Sequence, residues 1–486
     1  MDHEDYNTCK DYNELFQFIK LQNIEYLDCT FCDIFGSLHH ITVSTKTIKD
    51  ASDLSNGISF DSSSVRGMKY NKYSDMIIIP DPTTGWIDPF FYSKTLHLIC
   101  NIHFSNGNNF HFCARSIAYN AQEVMKKSGI ADICAIGAEN EFFIFESAQY
   151  STSTNYSFYN LDEDEAYWNS GTAGFLNGER KKSNLGGRRQ LKQGYCAPYP
   201  ADRNLDIRCE ILHELECVGI PIEKHHHEVA TCQHELGVYC SPLLKSADNV
   251  MSIRYLVKGI AHKHNKTVTF MPKPLINDNG SGMHINVSLW KNNSNLFFDK
   301  SSKYYNLSEI GHYFIGGILT HTPAIMAFTN PTTNSYKRLV AGYETPENLY
   351  YGAGDRDAAI RIPLNSYCNI KAQRIEFRVP DSSACPYLAF AAILCAGLEG
   401  IKLNIDPRKY LINDNQDNIN MDNSLLKIPK TLSESLNYLE KDYDFLIKDG
   451  VFRKEFILNY IKLKREEVIL IESVPNPKEF ELYYDC

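Results

Sequence analysis

The stretch from His225 to Glu235 constrains this chain more than any other part of its sequence. It reads His-His-His-Glu-Val-Ala-Thr-Cys-Gln-His-Glu and follows a Gly-Ile-Pro-Ile run that is typical of a strand. Alternate residues of a strand share a face, so Glu228 is expected on the same face as His226 and Lys224. The Thr-Cys-Gln run predicts a loop that returns Glu235 towards Glu228. Converging carboxylates normally need a cation, because unpaired like charges repel and are costly to bury. Histidine clusters are also common as structural or surface features, so the stretch alone leaves both interpretations open.

A second pair of carboxylates interrupts the apolar run from Ile133 to Phe145. The run predicts a buried strand, and Glu139 and Glu141 lie two residues apart within it. Both side chains therefore point to one face, about 7 Å apart. Two like charges would destabilise a dry core. Either this face meets solvent or a cation lies between the carboxylates, and the apolar flanks favour the cation.

A glycine-containing loop at residues 277–282 leads into a strand of alternating character. The polar side chains of His284, Asn286 and Ser288 share one face of this strand, and apolar side chains take the other. The loop lacks the pattern of a phosphate-binding P-loop and of a dinucleotide fingerprint. An ordinary turn before an amphipathic strand explains the pattern as well as a ligand site does.

The candidate anion-binding side chains lie between residues 330 and 380, and they are Arg338, Arg356, Arg361, Lys371, Arg374 and Arg378. The strand that begins at Arg374 places Arg374, Glu376 and Arg378 on one face. One interpretation is a solvated sheet face with ion pairs between strands. The other is a clamp for phosphate or carboxylate groups, because arginine binds both in two-point contacts.

Together these segments supply five carboxylates and one imidazole, from Glu139, Glu141, Glu228, Glu235, Glu376 and His284. The set offers three protein ligands to each of two divalent cations. Oxygen-rich ligation that leaves positions open suits Mg²⁺ or Mn²⁺, which retain water and phosphate oxygens. Metal ions on one side of a cavity and arginines on the opposite side would spread the charge of a transferring phosphoryl group. The sequence therefore predicts phosphoryl transfer.

The overall charge narrows the class of partner. The formal net charge is -10 and the sequence pI is about 5.9, which argues against nucleic acid or an anionic membrane, because both need a basic surface.

The longest apolar run, Tyr387 to Leu398, is too short for a membrane span and predicts a buried helix. The N-terminus lacks the features of a targeting peptide, and the 15 scattered cysteines suit free thiols. We therefore expect a cytoplasmic protein.

A length of 486 residues is enough for two domains. Residues 1–105 are expected to form a small α+β domain, with one of its strands over Ile24–Leu38. The Ser-Asn-Gly-Asn-Asn run at 105–109 predicts a turn that separates it from a larger domain at 106–486.

Inside the smaller domain, the polar run Phe60-Asp61-Ser62-Ser63-Ser64 follows a strand. A plain turn or helix cap is its simplest interpretation, because aspartate and serine side chains readily accept hydrogen bonds from nearby backbone amides.

Motifs of one known family occur in order from about residue 14 to the end of the chain, namely Phe60–Ser64, Glu139–Glu141, Lys192–Tyr195, His225–Glu228 with Glu235, Asn277–His284, Asn330–Arg338, Gly342–Glu344, Arg374–Arg378 and Pro475–Tyr484. At these residues the chain resembles type I glutamine synthetase. The resemblance implies an α+β fold, with a small N-terminal β-grasp domain and a larger catalytic domain that has a curved antiparallel sheet. It also implies a homo-oligomer, a dodecamer of two stacked hexameric rings with its sites between subunits. The implied reaction is ATP-dependent condensation of L-glutamate with ammonia through γ-glutamyl phosphate.

The resemblance also assigns roles to individual residues. One metal ion would be held by Glu141, Glu228 and Glu235, and the other by Glu139, His284 and Glu376. Glutamate would contact Asn279, Gly280, Arg338 and Arg378, with Glu344 and Arg356 close by. The nucleotide would lie among Glu223, Asn286, Ser288, Lys371 and Arg374, and its phosphates against Arg356 and Arg361. Asp61, with Ser64 beside it, would take a proton from ammonium, and Glu344 would lie on a flap that excludes water from the acyl phosphate.

Two other functions stay open. One is a ligase that joins glutamate to an organic amine on the same fold, and the other is a non-catalytic structural relative. Asp61 and Glu228 favour ammonia, because binding of ammonium needs negative charge. Retention of all six candidate metal ligands argues against a structural role.

The chain departs from the family pattern at several positions. Ser62 replaces a usual glycine, Gly354 a frequent arginine, and Asn286 an occasional histidine. Asn420 stands where some bacterial members have the tyrosine that is adenylylated, so this switch is expected to be absent; a nucleotidylated species in mass spectra would contradict that. Tyr70 stands where a feedback-inhibited subgroup has arginine, which leaves inhibition by glutamine open.

Overall fold

The computed structural model describes residues 9–68, 74–170, 175–176, 179–180, 185–340, 344–364, 369–412 and 427–486. The N-terminal part consists of α1 (Tyr12–Leu21), β1 (Tyr26–Cys32), β2 (Leu38–Ser44), α2 (Ala51–Asn56), β3 (Ile58–Asp61), β4 (Asp75–Pro80), β5 (Trp86–Ile87) and β6 (Thr95–Phe104). These strands form one sheet in the order β2-β1-β6-β4-β3, with β5 also paired to β6.

The single strand expected over Ile24–Leu38 is wrong, because the chain reverses direction between β1 and β2. The carboxylate of Asp33 accepts hydrogen bonds from the backbone amides of Phe35 and Ser37. An aspartate that caps its own turn in this way stabilises a hairpin, which alternation of apolar residues alone does not reveal.

The rest of the chain consists of α3 (Ala114–Lys127), β7 (Ile133–Phe145), β8 (Ser147–Ser153), β9 (Tyr156–Asp162), β10 (Phe175–Leu176), β11 (Glu179–Arg180), α4 (Leu205–Cys217), β12 (Ile222–His227), β13 (Gln233–Val238), β14 (Ser241–Pro242), α5 (Leu243–Lys263), β15 (Thr267–Thr269), β16 (Met283–Lys291), β17 (Ser294–Asn295), α6 (Glu309–Thr329), α7 (Ser335–Arg338), β18 (Tyr351–Ala353), β19 (Ile360–Ile362), β20 (Ile375–Phe377), α8 (Pro386–Leu403), β21 (Leu411–Ile412), α9 (Leu432–Lys441), α10 (Asp444–Ile447), α11 (Lys454–Glu472) and α12 (Pro477–Tyr483).

The largest sheet positions the candidate site. Its strands follow the order β12-β13-β7-β16-β20-β19-β18-β21, with β14 and β15 also paired to β7 and β17 to β16. The strands from β12 to β19 pair antiparallel, and β18 runs parallel to β19 and β21. The expected α+β class with a curved, largely antiparallel catalytic sheet is confirmed.

Helices α6 and α8 pack in the core behind this sheet. A Cβ atom on Gly400 of α8 would lie 2.5 Å from the backbone nitrogen of Gly317 of α6, so the helices approach this closely because both residues are glycine. Among the described residues, α8 alone is long and apolar enough to cross a membrane, and 78% of it is buried inside the structure. The expected buried helix is confirmed, although at 18 residues it is longer than the sequence suggested.

One apolar core runs through both sheets. It includes Leu27 and Ile102 of the N-terminal sheet together with Ile285 and Phe377 of the largest sheet. The division into domains at residue 105 falls in the link between β6 and α3, and it stays a prediction.

Candidate active site

The register of the strands lines up the acidic side chains. His226 of β12 lies opposite Glu235 of β13, and Glu235 lies opposite Glu141 of β7. On the other side of β7, Glu139 lies opposite His284 of β16. Residues that face each other across antiparallel strands point to the same side of the sheet. The pairing therefore gathers these side chains on one face.

One group of candidate ligands consists of Glu139, His284 and Glu376, whose ligand atoms all lie within 4.8 Å of one another. His284 Nδ1 is 3.2 Å from Glu139 Oε2 and 3.7 Å from Glu376 Oε1. Burial opposes ionisation of Glu139, but hydrogen bonds with His284 and Asn286 outweigh it and lower the pKa of Glu139 to about 2. A charged carboxylate beside an imidazole is a suitable pair of metal ligands.

The second group consists of His226, Glu228 and Glu235. It differs from the expected set, because His226 stands where the resemblance placed Glu141. The Oε2 atom of Glu141 accepts hydrogen bonds from Gln233 Nε2 and from the backbone amide of Gly282, each at 2.9 Å. Its Oε1 atom lies 3.9 Å from His284 Nε2. Glu141 thus lies between the two groups.

Gly282 keeps this part of the site open. A Cβ atom at Gly282 would lie 2.6 Å from Arg338 Nη2, 3.0 Å from His284 Nε2 and 3.1 Å from Glu141 Oε1. A side chain here would fill the space between the imidazole, the guanidinium and the carboxylate.

The electrostatics of the second group fit a bound cation. Burial raises the pKa of Glu228 to about 9, and the charges of Glu141 and Glu235 add to the shift. Burial also raises the pKa of Glu141, with Glu235 contributing. Carboxylates that crowd together in this way retain a proton unless positive charge offsets their repulsion. The donor set, rich in oxygen with one imidazole in each group, is suitable for Mg²⁺ or Mn²⁺.

Two of the predicted arginines, Arg361 and Arg378, lie beside an acidic residue rather than on an opposite wall. Glu376 accepts a hydrogen bond from Arg378 Nη1 at 2.5 Å and another from Arg361 Nη1 at 2.6 Å. The expectation of two facing walls is therefore corrected, because one carboxylate belongs to a ligand group and to two ion pairs at once.

Arg338 is buried next to these residues. Its guanidinium donates hydrogen bonds to the carbonyl groups of Val379 and Arg378 at 3.0 and 3.3 Å. Burial lowers the pKa of Arg338, although Glu141 opposes the shift, and its Nε atom is buried without a hydrogen-bond partner. A buried guanidinium with a free donor is suited to bind an anion.

The loop that carries Asn279 and Gly280 is held by Asp278. The buried Asp278 carboxylate accepts hydrogen bonds from the backbone amides of Lys192, Thr231 and Asn279. A Cβ atom on Gly280 would lie 2.3 Å from the Pro272 carbonyl oxygen, so only glycine fits.

The candidate cavity is lined by eighteen residues, of which thirteen were predicted from the sequence, namely Glu139, Glu141, Glu228, Glu235, Asn279, Gly280, His284, Arg338, Glu344, Arg356, Arg361, Glu376 and Arg378. Glu344 has a φ of 55°, which is uncommon for a side-chain-bearing residue and often found at functional positions. Gly342 and Tyr343 of its motif lie outside the described residues, as do Tyr70 and Asn420. Gly354 has a φ of 71°, which explains glycine at that position.

The residues expected around the nucleotide lie outside this lining. Arg374 Nε donates a hydrogen bond to Asn286 Oδ1 at 2.8 Å, and Asn286 Nδ2 donates to Glu139 Oε1 at 3.0 Å. This chain of contacts connects Arg374 to the ligand group. Ser288 accepts a hydrogen bond from Trp290. Glu223 and Lys371 are exposed, and neither lines the cavity.

Asp61 ends β3 of the N-terminal sheet, and Ser64 lies in the short 3-10 helix that follows. Both residues are exposed and apart from the cavity lining. Ser64 Oγ donates a hydrogen bond to Asp61 Oδ2 at 3.3 Å. Hydrogen bonds with Ser63 lower the pKa of Asp61, so this carboxylate is charged at neutral pH.

Five lining residues received no role from the sequence, and they are Tyr195, Lys224, His226, Gln233 and Thr345. Strand alternation placed Lys224 and His226 on the face of Glu228, so that signal was present. Tyr195, Gln233 and Thr345 gave no such signal in the sequence beyond their positions within or near the family motifs.

Comparison with known proteins identifies the family. The model of the glutamine synthetase β-grasp domain matches residues 23–105, and the model of the glutamine synthetase catalytic domain matches residues 111–483. The chain is 46% identical to a glutamine synthetase from Nostoc sp., over 97% of this chain and 99% of the relative. It is 44% identical to one from Aquifex aeolicus, over 97% and 98%.

Solved structures agree with this assignment. A cryo-electron microscopy structure of Plasmodium falciparum glutamine synthetase superimposes with a TM-score of 0.92 at 33% identity, covering 99% of this chain and 100% of that one. The structure of apo GmaS without ligand has a TM-score of 0.79 at 26% identity, covering 97% and 99%. Because both family models match and the curated relatives align over nearly their full length, this chain belongs to the glutamine synthetase family.

Proposed function

We infer that this chain is a glutamate–ammonia ligase, which uses ATP to condense L-glutamate with ammonia to L-glutamine through γ-glutamyl phosphate. The observation that carries the inference is the convergence of the six predicted acidic and imidazole ligands with four arginines in one cavity of a chain of this family. Such a cavity is suited to bind a phosphoryl group and the two carboxylates of glutamate.

The enzyme uses a divalent metal ion together with ATP, as its family implies. We propose two Mg²⁺ or Mn²⁺ ions in each site. Glu139, His284 and Glu376 would hold one, and Glu228 and Glu235 would hold the other, with Glu141 between the groups and His226 as a further ligand. When bound, such ions neutralise the negative charge of the transferring phosphoryl group.

The first half-reaction joins glutamate to phosphate. Asn279, Gly280 and Arg338 are proposed to hold glutamate, with Arg378 beside them, so that its γ-carboxylate oxygen attacks the γ-phosphorus of ATP and ADP leaves. Arg356 and Arg361 line the cavity where the phosphates would lie. Guanidinium groups fixed in this way stabilise the charge that moves onto the leaving phosphate. Glu223, Asn286, Ser288, Lys371 and Arg374 are proposed nucleotide contacts.

The second half-reaction needs free ammonia and a dry site. Asp61 is proposed to take a proton from ammonium, and the nitrogen then attacks the γ-carbonyl carbon of the acyl phosphate and releases phosphate. Glu344 is proposed to lie on a flap over the intermediate, because an acyl phosphate hydrolyses unless water is excluded.

The position of Asp61 bears on assembly. The enzyme is oligomeric, as its family suggests, and Asp61 lies outside the cavity of its own chain. We propose that it completes the cavity of a neighbouring subunit within a dodecamer of two stacked hexameric rings. We also propose a cytoplasmic location, supported by the described cysteines, all of which are free thiols.

A ligase for organic amines is less well supported than a glutamine synthetase. The relatives named glutamine synthetase are 42–46% identical over nearly the full length, whereas the GmaS structures are 25–26% identical.

A coupled phosphate-release assay tests the proposal. With glutamate, ATP, Mg²⁺ and ammonium, we expect phosphate and glutamine in equal amounts. Replacing ammonium with methylamine or a polyamine should abolish most product. Amide formation with the amine but not with ammonium would overturn the proposal, and so would the absence of both products.

A further inference from the structure

The turn that carries Glu228 is supported by a buried pair of residues, Glu165 and His227. The side chain of His227 is 5% exposed and that of Glu165 is 2% exposed. His227 lies on β12 one residue before Glu228, and Glu165 belongs to the long segment between β9 and α4. Neither residue lines the cavity.

The hydrogen bonds fix the His227 ring in one orientation. His227 Nδ1 is 2.7 Å from the Glu228 carbonyl oxygen, and His227 Nε2 is 3.0 Å from Glu165 Oε1. A carbonyl oxygen only accepts, so Nδ1 carries a hydrogen and donates it to Glu228. Nε2 and Oε1 then share the remaining proton. The ring therefore connects the Glu228 backbone to the Glu165 carboxylate.

Glu165 is in turn held by the segment around it. Its Oε2 atom accepts a hydrogen bond from the Arg203 backbone amide at 3.0 Å. Both of its oxygens therefore have a partner, as buried carboxylates require. A rotation of Glu165 would break one of these two bonds.

Gly194 belongs to the same segment as Glu165, between β9 and α4, and this segment contacts the Glu228 turn. The Gly194 amide donates to the Val229 carbonyl at 3.0 Å. A Cβ atom at Gly194 would lie 2.6 Å from the Glu228 carbonyl oxygen and 2.7 Å from His227 Cε1. The segment thus contacts the same carbonyl group that His227 binds.

We propose that Glu165 and His227 are positioning residues, which hold the Glu228 turn so that its carboxylate faces Glu141 and Glu235. This inference rests on the proposed function, since it assumes that Glu228 binds a cation. Partners that orient metal ligands from behind typically contribute 10–100-fold to metal affinity.

The test compares three full-length variants by Mn²⁺ binding, measured from the electron paramagnetic resonance signal of free Mn²⁺. Glu165→Ala should weaken binding by about 10–100-fold. Glu165→Gln should stay within about threefold of the wild type, because a flipped amide satisfies both His227 and the Arg203 amide. The matched control is Glu163→Ala, which removes a carboxylate that is fully buried in the same segment but contacts Lys266 and Asn204 instead. It should lower the unfolding temperature and leave Mn²⁺ affinity within about threefold.

Several outcomes would decide the matter. Wild-type affinity in Glu165→Ala would overturn the inference, and so would an equal loss in Glu163→Ala. If Glu165→Ala does not assemble, His227→Phe serves as the second variant, with the same expected loss of affinity and the same meaning if none occurs. A wild-type enzyme that binds no Mn²⁺ would instead contradict the proposed function.

Discussion

The two large sheets of the molecule treat carboxylates in opposite ways. At the end of β3 in the N-terminal sheet, Asp61 is exposed, and hydrogen bonds with Ser63 lower its pKa. In the catalytic sheet, burial and the charges of Glu141 and Glu235 raise the pKa of Glu228 to about 9. The difference shows that crowding and burial decide whether a carboxylate keeps its proton. The N-terminal sheet presents a charged carboxylate, and the catalytic sheet presents a cluster that needs positive charge.

Replacing Glu228 should have the largest effect and tests this contrast directly. Glu228→Gln is expected to lower the rate of phosphate release about a thousandfold, because stabilising the charge of a transferring phosphoryl group is worth several kcal/mol. In EDTA, the same variant should unfold at a higher temperature than the wild type, because the metal-free wild type must protonate Glu228 on folding and a neutral glutamine does not carry this cost. Scanning fluorimetry with and without EDTA measures the second effect. A fully active variant that is no more stable in EDTA would contradict the cation role.

His97 in the N-terminal sheet extends the comparison, because its burial should make the stability of the protein depend on pH. Burial lowers the pKa of His97 to about 4, whereas histidine in an unfolded chain has a pKa of about 6.5. Between these values the unfolded state binds more protons, so stability is complete above about pH 6.5 and is lost as the pH falls towards 4. His97 should contribute a loss of about 3 kcal/mol of unfolding free energy over this range, which is the difference expected between the wild type and His97→Gln. Urea denaturation at several pH values measures both, and parallel curves would exclude His97 as the cause.

Asp61 tests the other half of the comparison, because its role is proposed to be chemical and its contribution to folding small. Asp61→Asn should lower the rate of glutamine formation about a hundredfold, the range expected for loss of a general base. The unfolding temperature should not change, with or without EDTA. A large loss of stability would show that the exposed carboxylate serves the fold instead.

Ser64 should have the smallest effect. Its hydroxyl is exposed and its hydrogen bond to Asp61 is 3.3 Å long, so Ser64→Ala is expected to change the rate by less than about threefold. Steady-state assays at limiting ammonium are the sensitive measurement. A loss as large as that of Asp61→Asn would mean that the hydroxyl itself contacts a substrate.

Strand alternation predicted much of the candidate site. The run at Ile133–Phe145 predicted β7 with its bounds as observed, and it placed Glu139 and Glu141 on one face. The loop predicted after Val229-Ala230 is the turn between β12 and β13, and it brings Glu235 back towards Glu228. Both patterns are local, since they depend only on the two-residue period of a strand.

The rest depends on contacts between strands, which a single sequence does not contain. Arg361 reaches Glu376 because β19 pairs with β20 in one particular register. Glu223 falls where the pairing of β12 with β13 shifts between Ile222 and Lys224. A bulge of this kind redirects side chains in a way that alternation does not show.

The Asp278 carboxylate has a consequence for motion. It accepts hydrogen bonds from the amides of Lys192, Thr231 and Asn279, which belong to three separate loops. A movement of the Asp278 side chain would break its hydrogen bonds to all three loops together. The three amides should therefore exchange their hydrogens with solvent at a common rate, as parts of one cooperative unit.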